Sequence, residues 1–146
     1  MEHRISLVTL GVAGVARATA FYTRLGFERS PASNDNVTFM KAGGVVLSLF
    51  GRRALAEDVG LPSGTLGLDA PAGFAGVTLA HNVRSEAAVD VVLAEAVAAG
   101  AQLLKPGQKV FWGGYSGYFA DLDSHLWEVA HNPFFPLDGQ GQVQID

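Results

Sequence analysis

The sequence predicts an α+β domain made of two tandem strand–helix–three-strand (βαβββ) modules. Three observations carry this prediction: a composition suited to one packed core, an order of strand and helix signals that occurs twice, and a Val-Thr-Leu tripeptide at residues 8–10 that returns at residues 77–79. The tripeptide gains its weight from context, because each copy opens the same series of elements. Neither half is long enough to close a core alone.

Residues 5–12 (ISLVTLGV) are β-branched and apolar and predict a buried strand. Val15, Ala18, Tyr22 and Leu25 then recur at helical spacing, and Gly26 is placed for a left-handed helix stop. Short strands are predicted around Phe27, over 37–41 and over 45–50. Turn signals at 33–36 (SNDN) and at Gly43-Gly44 separate them. A Gly-, Pro- and Asp-rich connection at about 52–72 has a short helical piece at 54–59.

The second module starts with a strand over 74–83 (FAGVTLAHNV). Ser85 is the expected N-cap of a helix whose buried face is Val89, Val92, Leu93, Ala96 and Val97, ended by Gly100. Strands follow over 101–105, 115–120 and 125–130, broken by Pro106-Gly107 and by 121–124 (DLDS). The expected organisation is one domain over 1–146, with module 1 at about 4–51, the connection at 52–72, module 2 at about 73–132 and a tail at 133–146.

With 49% hydrophobic and 16% charged residues, the chain can bury enough surface to offset the entropy of ordering. It has no cysteine, so a metal would have to be bound by His, Asp or Glu. A net charge of −4 with scattered Lys and Arg argues against nucleic acid as a partner. The start of the chain lacks a signal-peptide pattern, and no apolar run reaches membrane-spanning length, so no membrane association and a cytoplasmic location are expected.

Three stretches resemble the vicinal oxygen chelate superfamily, the glyoxalase and bleomycin-resistance group. They are residues 8–26 with Phe21-Tyr22 and Leu25-Gly26-Phe27, the second strand and helix, and the closing hairpin 119–129 (FADLDSHLWEV). The group commonly shows Asp-Pro-Asp-Gly in that hairpin, where this chain has Leu122 for Pro and Ser124 for Gly. The resemblance implies curved mixed sheets forming a cup, helices on the outer faces, a ligand inside and a homodimer.

In metal-using members four side chains hold a divalent ion, two from each module. The matching positions here are Leu7, Ser48, either Gly76 or Thr78, and Glu128. Glu128 alone is a normal ligand, and one carboxylate cannot hold an ion that needs three or more donors. The expectation is therefore that the usual four-ligand metal site is absent and no cofactor is needed.

Glu128 has two readings. Facing the cup, it would serve as a general base or as the counter-charge of a cationic ligand; otherwise it is a carboxylate bonded to a neighbouring Tyr or Trp. His125 and His131 alternate onto the strand face opposite Glu128, which argues against an improvised metal site. The segment 111–119 (FWGGYSGYF) concentrates aromatics among glycines, and Trp112 and Tyr115 are taken as ligand-lining, with Leu7, Ser48 and Thr78. Trp127 is assigned to the core.

The first expectation for function is a small-molecule-binding protein of the bleomycin-resistance kind, taking up an aromatic or cationic organic compound. The alternative is a glyoxalase-like lyase, isomerase or dioxygenase that uses a divalent metal, or Glu128 as base. A third is a non-catalytic partner subunit, to which the apolar tail Pro133-Phe134-Phe135-Pro136-Leu137 points.

Overall fold

The computed structural model describes residues 3–61 and 74–145. The α+β class and the repeated module are present, in two units that are compact in themselves, 1–75 and 76–146. Most of the connection expected at 52–72 lies outside the described residues. Among the described residues no helix is long and apolar enough to cross a membrane.

In the first unit, strand β1 (Leu7–Val12) leads into helix α1 (Val15–Arg24), and β2 (Val37–Ala42), β3 (Val45–Gly51) and α2 (Arg52–Val59) follow. The sheet order is β1-β3-β2, with β1 parallel and β2 antiparallel to β3. Alternation sends Leu10, Val12, Leu47, Leu49 and Met40 into the core, where α1 contributes Ala18, Phe21 and Tyr22. Thr19 on α1 donates to the Val15 carbonyl and lies 2.8 Å from the buried Thr38 hydroxyl, which satisfies polar groups where helix meets sheet.

The strand expected around Phe27 does not form; that stretch keeps one isolated bridge, Arg29 to Met40. The helix stop explains why. Gly26 turns left-handed at φ 90°, Gly26 N–H donates to the Thr23 carbonyl and Phe27 N–H to the Tyr22 carbonyl. The Phe27 ring meets Tyr22 edge-on at 5.6 Å, completing a Schellman motif that takes up the residues a strand would need.

The second unit runs β4 (Leu79–Asn82), α3 (Glu86–Ala99), β5 (Gln102–Lys109), β6 (Tyr115–Ala120) and β7 (Leu126–His131), in the sheet order β4-β7-β6-β5. The Ser85 side chain accepts the Ala88 N–H as the N-cap, and Gly100 closes α3 at φ 111°. The buried stripe of α3 is Val89, Leu93, Ala96 and Ala99. It is turned toward Ala99 from the expected face, so Val97 is left 44% exposed.

Two strand boundaries also differ. Val77 and Thr78 precede β4, so the second Val-Thr-Leu copy lies only partly in a strand. Pro106-Gly107 does not end β5 but sits inside it between register shifts, which an edge strand tolerates because its outer N–H groups need no partner. The C-terminal tail is tied down by Arg84, whose guanidinium donates to the Leu137 and Asp138 carbonyls.

Candidate functional site

Helix α3 fixes which face of the second sheet is core. A Cβ on Gly117 would lie 2.6 Å from Leu93 Cδ1, and the Tyr115 hydroxyl donates to Asp90 of α3 at 3.0 Å. Gly117 pairs with Val129, Phe119 with Trp127 and Tyr115 with His131, so all of these share the α3 side. Trp127, expected in the core, is half-buried and stacks on Phe119 there at 6.1 Å.

Glu128 therefore points away from α3, half-buried. Its direct partners are Ala80 on β4 and Tyr118 on β6. Burial, followed by the negative charge of the facing Glu128, pushes the Tyr118 phenol above its ordinary value of 10.0.

This arrangement corrects the placement of Tyr115, which was expected among the ligand-lining residues. Its hydroxyl is committed to Asp90, on the face opposite Glu128. The tyrosine beside Glu128 is Tyr118. Parity held the signal: in the antiparallel β6–β7 pair, Ala120 opposes Leu126 and Tyr118 opposes Glu128, so even-numbered residues share a face.

Trp112 sits in the turn between β5 and β6, closed by the Val110 N–H on the Gly114 carbonyl at 3.1 Å. Its ring covers Gly114 so closely that a Cβ there would fall among the ring atoms. Thr78 is exposed just before β4, and Gly76 has φ 74°. In the first unit Ser48 is 2% exposed and pairs with Thr9 and Phe39, while Leu7, 48% exposed, pairs with Val46. Leu7 and Ser48 thus share the sheet face opposite the Leu47 and Leu49 core, and Thr9 stands between them as an unforeseen hydroxyl neighbour.

Two histidines are engaged within the second unit. His125 Nδ1 lies 2.9 Å from the Asp121 carboxylate, and His131 Nδ1 lies 3.2 Å from the Val83 carbonyl. His81 pairs with Val129 on the α3 side of β4; its surface is exposed, yet desolvation by the packed side of the ring lowers its pKa. Among the described residues no three His, Asp or Glu side chains form a group able to hold a metal ion. The four positions that the resemblance assigns to metal ligands, Leu7, Ser48, Gly76 or Thr78, and Glu128, supply one carboxylate with hydroxyl and alkyl groups, and this donor set does not fit a divalent ion.

No curated protein matches this chain. A solved structure of a glyoxalase-related enzyme from Fulvimarina pelagi is 34% identical over 98% of both chains, with a TM-score of 0.85. A glyoxalase/bleomycin resistance protein/dioxygenase from Nocardioides (22% identical, 100% of this chain and 91% of that one, TM-score 0.73) shares the fold. So does a lactoylglutathione lyase from Agrobacterium tumefaciens (19% identical, 89% and 94% covered, TM-score 0.64). The family model that matches residues 4–129 agrees with the repeat and the closing hairpin, and the chain belongs to the Glyoxalase/Bleomycin resistance protein/Dioxygenase superfamily.

Proposed function

We propose that this protein binds a small organic molecule without the aid of a metal ion, on the sheet face that carries Glu128. The observation that carries the reading is the Tyr118–Glu128 pair, half-buried and turned away from α3. The Glu128 carboxylate offers lone pairs to a ligand ammonium or N–H group, and the Tyr118 ring offers a flat apolar surface beside it. Trp112, half-buried at the end of the β5–β6 hairpin, is proposed as a second aromatic contact.

The test is a thermal-shift panel of aromatic amines and quaternary ammonium compounds on the metal-stripped protein. Saturable stabilisation that is lost in Glu128→Gln supports the reading. One equivalent of nickel, zinc, iron or manganese in purified protein, lost with Glu128→Ala, would overturn it. That result would favour a metal-dependent lyase or dioxygenase, a reading in line with the glyoxalase-related enzyme from Fulvimarina pelagi. Exposed Phe134 and Ile145 in the tail support the expected homodimer, which sedimentation velocity checks.

A further inference from the structure

Strand β5 is built the wrong way round for an ordinary amphipathic edge. Leu103 and Leu104 are 45% and 47% exposed, whereas Lys105 is half-buried. The cause is a pair of register shifts, one between Leu103 and Lys105 and one between Lys105 and Gln108. Each inserts a residue and so reverses which face the following side chain takes.

The consequence is visible in two lysines that plain alternation would put on one side. Lys109 reaches Glu86 on α3, while Lys105 stands on the opposite face with its Nζ 5.9 Å from the centre of the Tyr118 ring. Lys105 pairs with Tyr118, Tyr118 with Glu128, and Glu128 with Ala80. A cation, a ring and an anion therefore stand in sequence across three strands, with a small residue beyond them.

We infer that this row recognises a small zwitterion, its anionic group on Lys105, a flat or apolar middle over Tyr118 and its ammonium on Glu128. The inference rests on the binding reading above and narrows it to one ligand class. Backbones two strands apart are separated by about 10 Å, a span that long Lys and Glu side chains shorten to the length of a substituted ring. A zwitterion pairs both protein charges as it covers them. A ligand with one charge leaves either Lys105 or Glu128 desolvated without a partner, which is costly.

The test is calorimetric titration of the full chain with para-aminomethylbenzoate, benzylamine and benzoate. The zwitterion should bind roughly tenfold or more tightly than either single-charge compound, the ratio expected when one charge-assisted contact is lost. Lys105→Met should reduce its affinity to that of benzylamine, and Glu128→Gln to that of benzoate. Equal binding of the zwitterion and benzylamine to the unmodified protein would overturn the inference while leaving metal-independent binding intact. Silence from all three, together with a silent amine panel, would remove both. The comparison of three ligands needs no variant, so a substitution that unfolds the chain does not blunt it.

Discussion

Tyr118 and Glu128 oppose each other across β6 and β7 on the face turned from α3, where the Glu128 charge acts on the Tyr118 hydroxyl. Removing that hydroxyl tests how much the pair contributes apart from any ligand. Tyr118→Phe keeps the ring and should cost about 1 kcal/mol or less, since water can reach the half-buried Glu128 carboxylate opposite it. Denaturant titration measures the loss. A cost several times larger would mean that Glu128 is sealed from solvent.

Ser124 is a second site where a single atom group is at stake. Among the described residues it is the non-glycine residue with positive φ, 69°, in the 121–124 turn of the closing hairpin. The turn holds its shape because Asp121 accepts the N–H groups of Asp123 and His125 at 2.9 and 2.8 Å. A left-handed non-glycine residue is strained, so Ser124→Gly should stabilise the protein, by up to about 1 kcal/mol after the entropy of the unfolded glycine is subtracted. An unchanged or lower melting temperature would show that the serine side chain compensates the strain.

Gly117 predicts the opposite response. An added Cβ would lie 2.6 Å from Leu93 Cδ1 and 2.7 Å from the Lys105 carbonyl. Leu93 is buried and the carbonyl is backbone, so neither yields easily. Gly117→Ala should destabilise by about 1 to 3 kcal/mol, read as a lower denaturation midpoint. The smaller Leu93→Val in the same chain should recover part of the loss if packing is the cause.

His81 gives the fold a pH response. Desolvation lowers its pKa from 6.5, so the unfolded chain binds a proton more readily than the folded one. Its contribution is complete above 6.5 and is lost as pH falls through the lower folded value. Stability of the unmodified protein should therefore decline on the acid side of 6.5 more steeply than that of His81→Gln, as measured by chemical denaturation across the range. Coincident curves would show that His81 titrates normally.

The sequence by itself determined the class of fold, the repeat, two helix stops and the closing hairpin. These are local or periodic properties: Gly26 and Gly100 each adopt the left-handed geometry that glycine permits, and Ser85 caps α3 through its own side chain. It also singled out Glu128, through the resemblance of the closing hairpin to the family's ligand position. The tertiary structure decided which side chains stand beside that carboxylate. Tyr118 rather than Tyr115 faces it because pairing across β6 and β7 fixes parity, and Lys105 joins the row because one residue inserted between Leu103 and Lys105 reverses its face. Register and bulges are set by contacts between strands far apart in the chain, and a single strand read alone carries no record of them.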